Sequence, residues 1–146
     1  MKNVTLTKAG CIVVMLSMVI VQCLAQGASL EVTVKNIKQQ KGTIRVGLFD
    51  NEKDFLKKAV LGKVVKASGT EVTVLFENLK PGGYGLSVIH DENENGELDS
   101  NFVGMPKEGF AFGNNAMGMF GPPDFEKALV QVNGEKVVQV ISLKYL

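Results

Sequence analysis

"TEVTVLFENLKPGGYGLSVIHD", residues 70–91, is the stretch whose reading decides the fold. Val72, Val74 and Phe76 alternate with Glu71, Thr73 and Leu75, and after a turn Tyr84, Leu86 and Val88 alternate again. A period of two places every second side chain on one face, so each half reads as a strand with one face toward a core. Between them Leu79 closes the first strand, Pro81-Gly82-Gly83 turns the chain, and Tyr84 opens the second.

The same alternation recurs along the chain. "SLEVTVKNI" (29–37) aligns Leu30, Val32 and Val34, and "GTIRVGLFD" (42–50) aligns Ile44, Val46 and Leu48. "LVQV" (129–132) and "KVVQVISLKYL" (136–146) flank "NGEK", whose Asn133-Gly134 pair predicts a tight hairpin. The one helical candidate is "NEKDFLKKAVLGKV" (51–64), where Phe55 and Ala59, with Leu56 and Val60, fit an amphipathic turn or two. Its lysines suit an exposed crossover between sheets. Six strands alternating in the antiparallel manner predict an all-β fold, an antiparallel β-sandwich of immunoglobulin-like or transthyretin-like type. In such sandwiches a Leu-x-Pro-Gly-x-Tyr corner ties the tyrosine hydroxyl back to its turn, and Leu79 to Tyr84 match that pattern.

The first residues belong to a different class. Lys2 and Lys8 precede the apolar run "AGCIVVMLSMVIV" (9–21), and no acidic residue occurs before Glu31. That run has the length of a signal-peptide core and is short for a membrane span. Cys23 and Ala25 in "QCLAQG" offer a cleavage site, so residues 1–25 are expected to be a signal peptide and 26–146 a single domain. The destination is periplasmic or extracellular, with cleavage favoured over lipid anchoring through Cys23, because Gln22 is a poor neighbour for a lipidated cysteine. Both cysteines lie in the leader, leaving the domain without disulfide or thiol chemistry. Without Lys2 and Lys8 the 16 basic residues fall to 14 against 15 acidic, which supplies no field for nucleic acid. A monomer without a membrane span in its mature form is the expectation.

From Ser100 to Lys127 the alternation stops. This Gly/Pro-rich segment carries Phe102, Phe110, Phe112, Phe120 and Phe125, so it reads as a long loop packed by its own aromatics rather than a disordered one. Within it "MGMFGPP" (117–123) is expected to stay exposed, since Met and Phe flanked by Gly and Pro cannot all turn inward.

Just before that loop, "HDENENGELDSN" (90–101) holds five carboxylates and no Lys or Arg. Asp91, Asn93 and Asn95 fill the first three ligand positions of a D-x-N-x-N-G calcium loop, Gly96 provides the turn, Glu97 its carbonyl, and Asp99 the next side chain. The twelfth position is Phe102, which cannot coordinate, so Glu108 in "GMPKEG" is the candidate for the missing carboxylate. Glu92 and Glu94 should point to solvent. The expected ion is a structural Ca²⁺; the alternative is a solvated Asn-Gly loop that binds nothing.

Five motifs in order, "GTIRVGLFD", F-x-N-L-x-P-G-x-Y, H-D-E-N-x-N-G-x-L-D, G-x-P-K-E-G-F-x-F and F-G-P-P-x-F-E-x-A, make the chain resemble an uncharacterised bacterial family of small exported proteins that carries only a domain-of-unknown-function label. The resemblance runs from about Leu30 to Tyr145 and covers His90, Asp91, Asn93, Asn95, Gly96, Asp99, Pro106, Glu108, Gly109, Asn114, Asn115, Pro122, Pro123 and Phe125. Gly113 departs from a serine common there. The resemblance implies export and a β-sandwich, and no activity.

His90, the single histidine, shares parity with Tyr84, Leu86 and Val88, so it is expected to be a satisfied inner-face residue rather than a catalytic base. No nucleophile motif or phosphate loop accompanies it, and the chain is read as no enzyme. A carbohydrate-active enzyme using Asp91, Asp99 or Glu108 is the weaker alternative, and a structural envelope protein without metal is another. The favoured reading is a binding or accessory module for a protein, peptide or glycan. Its candidate contact residues are His90, Phe110, Phe112, Asn114, Asn115 and Phe120.

Overall fold

A computed structural model describes residues 27–146; the expected leader, residues 1–25, lies outside them. Eight strands run in chain order: β1 (Ala28–Lys35), β2 (Thr43–Phe49), β3 (Leu61–Lys66), β4 (Glu71–Leu79), β5 (Gly82–Asp91), β6 (Gly109–Phe112), β7 (Leu129–Val132) and β8 (Lys136–Ser142). The first sheet has the order β4-β1-β8, and the second the order β3-β2-β5-β6, with β7 also paired to β5. The apolar faces named from alternation meet between the two sheets. Leu30, Val32, Val34, Ile44, Val46, Leu48, Leu86 and Val88 are all buried in one core, with Val74, Phe76, Val130, Ile141 and Leu143. Full burial of each such side chain is worth about 1.5–3 kcal/mol, so this layer dominates the stability of the fold. The molecule is an all-β sandwich.

At the corner, the Tyr84 hydroxyl donates to the Lys80 carbonyl at 2.9 Å, the tie that the Leu-x-Pro-Gly-x-Tyr pattern predicts.

Three expectations are corrected. Residues 51–64 form no helix: Leu56 takes a positive φ of 61°, which ends the single turn around Asp54, and Leu61–Lys66 become β3. That strand pairs antiparallel with β2 in the same sheet, so Lys53, Lys57 and Lys58 mark an exposed turn within one sheet, and Lys63 an exposed edge strand, rather than a crossover between sheets. The Asn133-Gly134 turn joins no hairpin. β7 pairs with β5 in the second sheet, while β8 pairs along its length with β1 in the first, and in parallel. β1 offers β8 a seven-residue partner from Ser29 to Lys35, and four-residue β7 cannot compete with that register. Finally, "GFAF" inside the long loop is strand β6, its Phe112 opposite Ser87 and its Gly109 opposite His90.

The outer face of the second sheet carries a smaller apolar layer. Phe110, Phe112 and Ala128 are buried there against Phe55 and Leu98. Phe55 meets Phe49 and Phe125 edge-on, each at 5.4 Å between ring centroids. Gly85 makes this possible: a Cβ there would lie 2.7 Å from the Phe125 ring. Most of the loop's aromatics thus pack the loop itself onto the sheet.

Candidate cation loop and neighbouring cleft

β5 ends in two fully buried polar residues that face opposite ways, His90 into the sandwich and Asp91 outward under the acidic loop. His90 Nε2 lies 2.7 Å from the Lys41 carbonyl, which can only accept, so the proton sits on Nε2. Nδ1 then accepts from the Tyr145 hydroxyl at 2.8 Å, and that oxygen in turn accepts the Lys38 N–H at 3.2 Å. Both ring nitrogens are satisfied without solvent access, which is the state the parity argument anticipated. Burial of the Tyr145 hydroxyl holds its pKa above the ordinary 10.0, aided by the Glu92 charge and opposed by the Lys38 N–H.

Asp91 heads the loop. Its Oδ1 accepts the Asn95 N–H at 3.1 Å and its Oδ2 the Gly96 N–H at 2.8 Å. Gly96 has φ 88°, the left-handed turn that the motif requires of a glycine. Asn93 Oδ1 and Asn95 Oδ1 accept the N–H groups of Asn95 and Glu97, two residues on in each case. The carboxamides of Asn93 and Asn95 donate to the two oxygens of Asp99, at 2.6 and 3.1 Å. Asp91, Asn93, Asn95 and Asp99 therefore form one connected set of oxygen-bearing side chains. Glu94 and Glu97 are exposed, and Glu92 is half-buried with Oε1 3.9 Å from His90 Nδ1.

Glu108 does fold back to this loop, as the sequence suggested, but its oxygens are occupied. Oε1 accepts the Glu92 N–H at 2.8 Å and Oε2 the Asp99 N–H at 3.0 Å, so one buried carboxylate brackets both ends of the loop. Among the described residues no three His, Cys, Asp or Glu side chains gather as a metal-binding group; two of the four side-chain donors within the loop, Asn93 and Asn95, are asparagines.

The sequence reading missed Arg45. Its Nη1 stands 3.5 Å from Asp91 Oδ2, a resident positive charge beside the loop. Thr43 pairs with Asp91 and Arg45 with Ile89, which puts Arg45 diagonally across from Asp91 on the outer face of the sheet. Only the β2–β5 register brings them together.

The other candidate contact residues divide. Asn114 Nδ2 donates to the carbonyls of Lys127 and Leu129, and Asn115 bonds Val140 O and Ser142 N on β8. Both have positive φ, and both carboxamides staple the loop to strand backbone rather than face a partner. Phe110 and Phe112 are buried in the outer apolar layer. Phe120 is 97 % exposed, as "MGMFGPP" predicted, with Met119 at 89 % beside it. Phe120→Ala should therefore change stability by less than about 0.5 kcal/mol in urea denaturation, against about 3–5 kcal/mol for a buried phenylalanine.

Phe120 lies on one wall of a cleft of about 1,020 Å³ on the outer face of the second sheet. Ile89, Phe110 and Phe112 form its floor, and Glu97 stands on its wall, so the acidic loop and the cleft are neighbours.

No curated protein and no solved structure matches the chain. A family profile, described as an uncharacterized protein conserved in bacteria, matches residues 32–140, a span that holds most of the sandwich, the acidic loop and the cleft floor. The chain belongs to that bacterial family, DUF2141.

Proposed function

We propose that this protein is an exported, non-catalytic binding module whose acidic loop takes a structural Ca²⁺. The observation that carries the reading is the hydrogen-bonded set of Asp91, Asn93, Asn95 and Asp99, whose oxygens share one short loop around the Gly96 turn. Rotating the two carboxamides by half a turn would bring Oδ1 acceptors beside Asp99, at the expense of the hydrogen bonds that Oδ1 accepts from the Asn95 and Glu97 amides, which the bound ion has to outweigh. Side-chain oxygens of these four residues and the Glu97 carbonyl would hold the ion, with water completing a hard-cation shell. Thr43 Oγ1, a buried oxygen without a hydrogen-bond partner, belongs to the residue opposite Asp91 on β2. Glu108 supports the site from behind, keeping Glu92 and Asp99 in place. The sealed environment of His90 favours a structural over a catalytic role for that residue.

A second reading is favoured by Arg45: its guanidinium already offsets part of the loop's charge, and the loop then serves as a metal-free turn. The two readings separate in a melting experiment. With an affinity on the order of 10⁻⁴ to 10⁻³ M, ~10 mM Ca²⁺ should raise the melting temperature by about 5 °C or more. Asp99→Ala should abolish the rise, because Asp99 bonds the two asparagines and its loss spares the buried Asp91. Equal melting temperatures in Ca²⁺ and in chelator would leave the metal-free reading.

A further inference from the structure

The walls of the cleft expose more apolar surface than the cleft itself requires. Val103 and Met105 from one stretch of the loop and Met117, Met119 and Phe120 from another line it. Met119 and Phe120 are almost wholly in solvent, and Phe102, next to Val103, is 101 % exposed at the tip of a turn held by Asn101. Contiguous exposed apolar surface of this kind marks an interaction site. A small molecule seated on the floor would leave those tips in water, so the occupant has to extend beyond the cleft. Methionines flanked by glycines form adaptable walls, suited to a chain of variable side chains.

Charge narrows the occupant further. Asp91 is matched by Arg45, and Asp99 by the asparagines, whereas Glu94 and Glu97 are exposed and have no ion pair among the described residues. Lys57, which also lines the cleft, keeps its positive charge but is tied back to its own turn, its ammonium donating to the Lys53 carbonyl at 3.1 Å. The acidic loop therefore sets the negative Glu97 on the cleft wall, Ca²⁺ or not, with Glu94 on the same loop outside the lining, since neither side chain belongs to the proposed donor set.

We propose that the cleft docks a basic, amphipathic peptide segment, with apolar side chains against the Met and Phe residues of its lining and Lys or Arg groups against Glu97 on its wall and Glu94 beyond it. This rests on the binding-module reading and names the class of its partner. The test uses the full chain and two fluorescein-labelled peptides, one of alternating Leu and Lys and one of alternating Leu and Glu, followed by anisotropy in Ca²⁺ and in chelator. The basic peptide is expected to bind at least tenfold more tightly than the acidic one and to weaken as salt rises. Met119→Ala with Phe120→Ala should lower that affinity at least tenfold at an unchanged melting temperature, and Glu94→Gln with Glu97→Gln should flatten the salt dependence. Equal binding of the two peptides, or binding that the Met119/Phe120 variant keeps, would overturn the assignment. So would concentration-dependent self-association of the chain that the same variant abolishes, or partition onto neutral lipid vesicles with no binding of either peptide. The Ca²⁺-dependent melting shift reads the loop independently, so failure of the peptide assay leaves that result standing.

Discussion

Replacing Glu108 with alanine is expected to cost about 3–5 kcal/mol, because two charge-assisted hydrogen bonds of about 1.5–3 kcal/mol each disappear together. The carboxylate is buried, and the backbone N–H groups of Glu92 and Asp99 that it holds lie at opposite ends of the acidic loop. Among the described residues no other acceptor is bonded to those two amides, so the loss would free the loop as a unit. Glu108→Gln keeps one acceptor oxygen but turns an NH₂ group toward the second amide, so it should lose at least half as much. Urea denaturation measures the totals. Hydrogen exchange at the Glu92 and Asp99 amides gives the local readout, since protection there should fall in either variant even under conditions where the sandwich stays folded. A change below about 1 kcal/mol in Glu108→Ala would show that the loop is held by its own turns instead.

The second large effect is expected at His90. Alanine there removes a fully buried ring, strips the Lys41 carbonyl and the Tyr145 hydroxyl of their partner, and leaves a cavity. Together these should cost about 3–5 kcal/mol. His90→Phe leaves no cavity, since its ring is slightly larger than imidazole, but restores none of the hydrogen bonds, so a cost of about 2 kcal/mol or more should persist. Tyr145→Phe breaks the same chain from the other side. Its cost should not add fully to that of His90→Phe, because both variants remove the one hydrogen bond between the residues. The Tyr145 hydroxyl also gives the network a pH signature. Its pKa is raised in the fold, so the folded state holds that proton more tightly than the unfolded chain does. The contribution is fully present below 10.0 and is lost as pH rises through the raised value. Comparison of wild type with Tyr145→Phe in alkaline denaturation should reveal that loss as a component present only in the wild type.

Legibility differed between the sandwich and the loops for physical reasons. Leu30, Val32 and Val34 declared an inner face because alternation is local and burial follows it directly. β3 and β6 escaped notice because neither alternates: β3 is exposed but for Val65, and all four residues of β6 are buried. A short apolar run or a lysine-rich one has no period to read. The acidic motif gave Asp91, Asn93, Asn95 and Asp99 as one set, and Glu108 as a residue returning to them. Its identity as a bracket for backbone amides depends on where the loop ends meet, which composition does not record.

Local sequence alone determined the class of the fold, the inner face of four alternating strands, the Tyr84 corner and the exposure of Phe120. Each depends on side-chain period or on turn chemistry within a few residues. Tertiary structure alone decided that β8 runs parallel to β1, that Arg45 reaches Asp91, that Tyr145 meets His90, and that two loops wall a cleft. These are pairings between segments distant along the chain, chosen by competition among registers and edges, and a periodic pattern fixes which face of a strand is buried without choosing its neighbour.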